Sequence, residues 1–466
     1  MKTILFSVSS GYTFRNLFFF PRSVFAQLAE RLKERPDLRI VLVVAGKARA
    51  TYLPYIKDSL GERLILQSVP DKDDKSFLGK LFYFCYSYLC YTGTTRVIAT
   101  MGMRVGEPPA GGIFRRYVAP VKWLIAHTLG RSRFVRERLV PFWYHRFFTN
   151  RPFERLFTSY EPDLVFLPNL FSRFDMDFLA AAKRNGVVTM GMAASWDHFD
   201  KYYLPFKVDA LLAQSEQIKD FAVRFQWYDP KCITLVGYPH FDFIASDRHL
   251  LSRQELFERL GFPQGSKFIL YISGSAYCAD EPDIIAELLR WADEGKFGMD
   301  VRLVIRPYAG ARSSDRDFDE QKFNSFESHP RVRFYRREAW GDLADSVYYI
   351  NLMRHADAIV AIYTTAILEA AALDRPLIGI DFDGHHQRPF RRSVRRFRLR
   401  EHFKTLFETR GVHMAQDFDD LLSTLKDYLH DPRKDAAERE ALRKIACFRI
   451  DGRASERIVT ALLDRH

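Results

Sequence analysis

The sequence predicts an α/β protein built from two doubly wound parallel-sheet domains in tandem. Three observations predict it. Short apolar, β-branched runs recur along the chain, each followed by a helical pattern, and that alternation places helices on both faces of a parallel sheet. A second series of the same kind begins near residue 267. Between the two series, Gly237, Pro239, Pro263 and Gly265 flank a polar helix and mark the join.

In the first half the expected strands are 3–8, 39–45, 163–167, 187–192 and 210–213, with helices over 22–35 and 174–185. In the second half they are 268–272, 301–305, 358–362 and 377–380, with helices over 283–294, 342–354 and 366–373. The domains implied are 1–236 and 237–450, with a last helix over 451–466 expected to pack back on the first domain. Residues 75–157 fit the alternation least and are expected to form a basic, aromatic helical insertion in the first domain.

Composition agrees with a folded enzyme-sized chain. At 466 residues, 47% hydrophobic and 27% charged, it can bury a sizeable core and is neither disordered nor collagen-like. Five scattered cysteines (Cys85, Cys90, Cys232, Cys278, Cys447) with no CxxC pair argue against a disulfide framework and a zinc site, so a reducing compartment is expected. The opening MKTILFSVSS, broken by Ser7, Ser9 and Ser10, reads as a first strand and not a signal peptide. The most lipid-like stretch, 81–91, falls short of the roughly 18 apolar residues that a spanning helix needs, so a soluble or peripheral protein is expected. No repeat of 20–50 residues suggests a solenoid.

Ligands of open α/β sheets bind beyond the carboxyl ends of strands, so the residues that follow each run carry the functional signal. After 268–272 comes Ser273-Gly274-Ser275-Ala276, whose small residues would let backbone amides approach an anion. After 301–305 comes Arg306-Pro307-Tyr308, a cation at a strand end. After 358–362 comes Tyr363-Thr364-Thr365, where either threonine can cap a helix whose first turn would receive phosphate. Glu369, further along that helix, is placed to meet a ribose hydroxyl pair. Gly274, Ser275, Arg306, Thr364, Thr365 and Glu369 are therefore the candidate nucleotide-binding residues, with no metal required.

In the first half, 187–192 runs into Ser195-Trp196-Asp197-His198-Phe199-Asp200-Lys201. Charges of this density are costly to bury unpaired and are expected to face a cleft. Asp197 and His198 are candidate general bases, with Trp196 and Lys201 beside them. Ser10, Gly11 and Arg15, after the first run, are expected on the same acceptor side.

The ordered blocks ASWDHFDKYYLPFKVDALLAQSEQ, ITLVGYPHFD, FILYISGS, VRLVIRPY and HADAIVAIYTTAILEAAALDRPLIGIDFD resemble GT-B-fold glycosyltransferases. The closest resemblance is to the bacterial surface-carbohydrate group related to CDP-glycerol glycerophosphotransferases. It covers roughly residues 160–385. The resemblance implies two Rossmann-like domains facing a central cleft, and metal-independent transfer from a nucleotide-activated donor. By position, Arg306, Thr364, Thr365 and Glu369 would hold the donor nucleotide, and Asp197 or His198 would lie near the transferred group. Arg306-Pro307-Tyr308 stands where glycerophosphotransferases carry His-Pro, and Trp196-Asp197-His198 where they carry Trp-His-Gly. Sugar transfer to a surface-polysaccharide or lipid-linked glycan is therefore expected ahead of glycerol phosphate transfer, nucleotide-sugar 2-epimerisation or a non-enzymatic scaffold role.

The charge excess is concentrated. From Gly112 to Arg155 there are ten basic residues (Arg115, Arg116, Lys122, Arg131, Arg133, Arg136, Arg138, Arg146, Arg151, Arg155) against Glu137 and Glu154, and seven arginines lie between Arg388 and Arg400. Arginine among aromatic residues suits an anionic membrane surface, so a peripheral location at the inner face of a membrane is expected through the Arg115–Arg155 region. No nucleic-acid motif accompanies the charge. The Arg388–Arg400 run is expected either to join that surface or to bind phosphate.

Overall fold

Among the described residues every strand pairing is parallel, and the strands form two sheets. The computed structural model describes residues 1–70, 77–101, 112–148, 151–246, 250–275, 278–308, 321–336 and 343–464, with the side chains of 112–116 and 151 outside the description.

The first sheet comprises β1 (Lys2–Val8), β2 (Leu38–Ala45), β3 (Leu64–Val69), β4 (Leu164–Leu167), β5 (Val188–Gly191), β6 (Ala210–Ala213) and β7 (Ile233–Leu235), in the order β3-β2-β1-β4-β5-β6-β7. β1 runs in register with β2 from Lys2–Leu38 to Val8–Val44, and β4 joins its other edge at Ile4–Leu164. β4 and β6 are buried throughout, which is why they appear in the sequence as continuous apolar runs. The second sheet comprises β8 (Lys267–Ile272), β9 (Val301–Arg306), β10 (Val332–Phe334), β11 (Ala358–Ala361), β12 (Leu377–Ile380) and β13 (His413–Ala415), in the order β10-β9-β8-β11-β12-β13. Both orders are doubly wound. β3, β7, β10 and β13, which the sequence reading missed, are the four edge strands, and three of them have only three residues.

Helix starts follow ordinary capping chemistry. Ser23, Ser172 and Ser215 each accept a hydrogen bond from a first-turn backbone N–H, and Ser252 with Glu255 forms a reciprocal capping box. The helix Arg253–Leu260 closes on Gly261, whose φ of +64° is a left-handed conformation that costs glycine little.

One unit contains Met1–Thr95, Pro120–Ala245 and Phe448–His466, and the other Arg96–Ala119 and Ser246–Cys447. The division thus falls after Ala245 and not at 236/237, and Arg96–Ala119, expected within a first-domain insertion, groups with the second unit. The last helix, Ala454–Asp464, belongs to the first unit. Asp242 accepts hydrogen bonds from the backbone N–H groups of Ala454 (2.8 Å) and Ser455 (2.7 Å), and Lys2 Nζ donates to the Leu463 carbonyl at 2.8 Å. A carboxylate at the helix start and an ammonium at its end both oppose the helix dipole. Its inner face buries Ile458, Val459, Leu462 and Leu463 in the core formed by β1, β2 and the helix Val24–Glu34. Among the described residues no helix is long and apolar enough to cross a membrane.

Ile458 is fully buried in that core, so Ile458→Ala should destabilise the first unit by about 3 kcal/mol. Urea denaturation read by far-UV circular dichroism should show an earlier transition; a midpoint equal to wild type would contradict this packing.

Candidate functional site

In both sheets the winding reverses beside the first strand, between β1 and β4 and between β8 and β11. Loops leaving the carboxyl ends of such a pair diverge to opposite faces, and a crevice remains between them.

In the second unit, Arg306 ends β9 beside β8. Its guanidinium carbon lies 4.2 Å from the ring centroid of Tyr349, on the helix Leu343–His355. Tyr349 stacks on Tyr335, with centroids 5.9 Å apart and planes 11° from parallel, and its hydroxyl lies 3.5 Å from Glu369 Oε2. Burial works against the Arg306 charge, but Tyr349 and Glu369, then Tyr335 and Asp345, outweigh it and hold the guanidinium pKa above its ordinary value. Arg306 and Glu369, chosen separately from the sequence, are thus brought together through Tyr349. The sequence reading missed Tyr349, whose only signal was the tyrosine pair Tyr348-Tyr349 within an expected helix.

The residues around this cluster divide into available and committed groups. Thr364 Oγ1 accepts from the Ala366 backbone N–H at 3.4 Å, whereas Thr365 is exposed and makes no cap bond. The helix that follows, Ala366–Ala372, has seven residues, so the fixed positive charge nearby is chiefly that of Arg306. The turn after β8 differs from expectation. Its Gly274 N–H donates to Glu281 Oε1 at 2.9 Å, and Glu281 also receives Tyr271 Oη at 3.1 Å, Ser273 Oγ at 3.2 Å and Lys322 Nζ at 2.6 Å. Burial pushes the Glu281 carboxyl pKa up, with Lys322 opposing it. The Gly274 amide is therefore committed to an internal carboxylate, and Ser275 is buried, its carbonyl accepting from the Cys278 N–H at 2.8 Å.

The arginines of 388–400 are not one cationic face. Arg388 forms a two-pronged pair with Asp280, Arg398 pairs with Asp381, and Arg396 is fully buried, donating to the Ser393 carbonyl at 2.6 Å; only Arg391, Arg392 and Arg398 of the run are well exposed. Burial brings the Arg396 guanidinium down to about 10. Among the described residues one group with cation-ligand spacing occurs, Asp280, Asp283 and His386, and Arg388 already occupies Asp280.

In the first unit, Ser10 caps the short helix Gly11–Phe14, accepting from the Thr13 N–H at 3.2 Å, and lies 3.4 Å from Asn169 Nδ2 in the loop after β4. Gly11 begins that helix, and the Arg15 guanidinium carbon lies 5.7 Å from the Tyr12 ring centroid. Beneath them Asp175 is wholly buried, accepting from Ser7 Oγ at 2.5 Å and the Asn169 backbone N–H at 2.8 Å. It joins the end of β1 to the loop after β4, across the winding reversal.

The Trp196–Lys201 loop is more inward than expected. Trp196 is core, 3% exposed, and Asp200 is fully buried, its carboxylate accepting from Thr94 Oγ1 at 2.5 Å and its carbonyl from Thr92 Oγ1 at 2.5 Å. These two do not face a cleft: both are buried, and a hydroxyl from a segment about a hundred residues earlier bonds the Asp200 carboxylate. Asp197 accepts from Ser195 Oγ at 2.7 Å and from Lys201 Nζ, so the expected base and the lysine form one ion pair. His198 is half-buried with its ring 5.2 Å from that of Phe171. In the same unit, Asn16, Gln214 and His240 border a small cavity of about 20 Å³, room for one water-sized group. Burial, reinforced by Arg15, brings the His240 imidazole down to about 3, so it is neutral at physiological pH. His240 lies within the GYPHFD block and was not singled out from sequence.

Burial pushes the Asp175 carboxyl from 3.8 up to about 6, against the bonds it accepts. Because the folded pKa is raised, the stability it contributes is fully present below pH 3.8 and is lost as pH rises through about 6. The difference in unfolding free energy between Asp175→Asn and wild type should therefore change by about 2 kcal/mol between pH 4 and pH 7, measured by urea titration. A difference independent of pH would contradict a buried titrating carboxyl.

No protein-family model matches the chain, and no curated protein is similar to it. Solved structures are similar in fold. The UDP complex of Staphylococcus aureus MnaA superposes with a TM-score of 0.53 at 14% identity, covering 99% of this chain and 96% of its own. A Neisseria meningitidis UDP-GlcNAc 2-epimerase bound to UDP-GlcNAc gives 0.51 at 11%, covering all of both chains, and a Rickettsia africae glycosyltransferase gives 0.51 at 10%, covering 100% of this chain and 99% of that one. With its two doubly wound parallel sheets and this end-to-end likeness, the chain has the GT-B fold.

Proposed function

We propose that the protein is a glycosyltransferase that moves a sugar from a nucleotide-sugar donor to a surface-polysaccharide or lipid-linked glycan acceptor, with protein groups and no divalent ion meeting the charge of the leaving diphosphate. The observation that supports this reading is the convergence of Arg306, Tyr349 and Glu369 at the carboxyl edge of the second sheet, near its winding reversal. Each does something a nucleoside diphosphate requires. Arg306 supplies a positive charge already fixed against an aromatic face, Glu369 offers a carboxylate to ribose hydroxyls, and Thr364 closes the adjoining turn.

In the reaction, an acceptor hydroxyl oxygen bonds to the anomeric carbon. The bond from that carbon to the diphosphate oxygen breaks, and its electron pair leaves with the diphosphate. The acceptor proton passes to a base. His198 fits that role, and Asp197, held by Lys201 and Ser195, positions the loop beside it. Transition-state stabilisation is greatest where charge develops, at the diphosphate, so Arg306 carries the largest catalytic share.

Arg306→Gln should lower kcat about a hundredfold, and Glu369→Ala should weaken nucleoside diphosphate binding by about tenfold in titration calorimetry. Asp197→Ala and Lys201→Ala should lower turnover by similar factors, and the double variant by no more than either, since they form one pair. Nucleotide affinity unchanged in Glu369→Ala would contradict the assignment. Conversion of the donor sugar to its epimer, with no acceptor present, would replace transfer by epimerisation.

A further inference from the structure

Thirteen of the nineteen large hydrophobic side chains exposed among the described residues lie between Phe77 and Trp143. They are carried by the helices Phe77–Ser87, Gly112–His127 and Val140–Phe147 and by the turns between them. The inner faces of these helices are occupied. Phe82 packs on Phe147 at 5.2 Å between ring centroids, Tyr86 on Tyr144 at 6.1 Å, and Lys122 donates to Tyr88 Oη at 3.0 Å. Their outer faces leave Phe77, Phe134 and Phe142 at 77%, 66% and 65% exposure, with Leu81, Trp123 and Leu124 also open.

Among the described residues of this segment, the exposed charge is mostly positive. Lys80, Arg131, Arg133, Arg138 and Arg146 are exposed. Glu137 is the single acidic residue described between Phe77 and Phe148, and it accepts from Lys207 at 3.1 Å. Not every basic residue counted from sequence takes part. Lys122 is buried against Tyr88, and Arg136 is buried with its guanidinium 3.7 Å from the Trp227 ring centroid. Arg115, Arg116 and Arg151 lie outside the described side chains.

We propose that the exposed side chains Phe77, Leu81, Trp123, Leu124, Phe134 and Phe142, with the exposed arginines of the same segment, dock in the headgroup layer of an anionic lipid bilayer. Aromatic rings enter at the acyl boundary while guanidinium groups meet lipid phosphates. A second copy of the chain fits less well, because a symmetric contact would set the same cations against each other. Nucleic acid would use the cations and leave the aromatic rings in water. Docking is separate from the transfer reaction and needs no substrate.

The test is cosedimentation of the full chain with vesicles of phosphatidylcholine containing 30 mol% phosphatidylglycerol, beside pure phosphatidylcholine vesicles and duplex DNA. The wild type should bind the anionic vesicles, less so as salt is raised, and bromine-labelled acyl chains should quench tryptophan fluorescence. Phe77→Ser/Phe134→Ser/Phe142→Ser should reduce partitioning by at least about tenfold, and each of Arg131→Gln, Arg133→Gln and Arg138→Gln by about fivefold. All variants should bind nucleoside diphosphates as the wild type does, which separates failure of docking from failure of the donor site. Wild type remaining in the supernatant with both vesicle types, binding DNA alone, or forming a dimer that shields the tryptophans would overturn the proposal. So would the triple variant sedimenting like wild type.

Discussion

The reversal of winding beside β1 and beside β8 is the constraint on which the rest of the structure depends. Right-handed crossovers send helices to one face on one side of these strands and to the other face on the other side. At the carboxyl end of the reversal no helix covers the gap, and polar side chains and strand-end loops collect there. Ser10, Asn169 and Asp175 occupy that position in the first unit, and Ser273, Gly274 and Thr364 in the second.

Each unit secures the first strand of its reversal with one buried carboxylate. Asp175 ties Ser7 to the backbone after β4, and Glu281 ties Tyr271, Ser273 and Gly274 beyond β8. The two differ in charge compensation. Glu281 has the ammonium of Lys322, which opposes the upward push of burial on its pKa, whereas hydroxyl and amide donors surround Asp175 and its pKa rises to about 6. Beyond these turns in the second unit, Arg306 and Glu369, the residues proposed to meet the donor, share Tyr349 as a common neighbour.

What could be read from the sequence followed from locality. The placement of Arg306 at a strand end and of Glu369 in the helix that follows β11 was legible because both follow from counting along the chain. Tyr349 was not, since its ring meets Tyr335 and Arg306 through tertiary contacts that carry no periodic signal. The buried strands stood out as apolar runs, while β7, β10 and β13 were too short to show a period. Charges were misjudged wherever a partner lay far off in sequence. Asp200 accepts from Thr94 at its carboxylate and from Thr92 at its carbonyl, and the Arg388–Arg400 run is divided by Asp280, Asp381 and burial. The Gly274 amide is not open to an anion because it already donates to the Glu281 carboxyl.

A crystal structure of the protein with UDP or CDP tests the central claim most directly. The account predicts diphosphate oxygens within hydrogen-bonding distance of the Arg306 guanidinium, the ribose hydroxyls on Glu369, and no divalent ion between protein and phosphate. An ordered nucleotide bound away from Arg306, or a diphosphate held through a metal at Asp280 and Asp283, would contradict it.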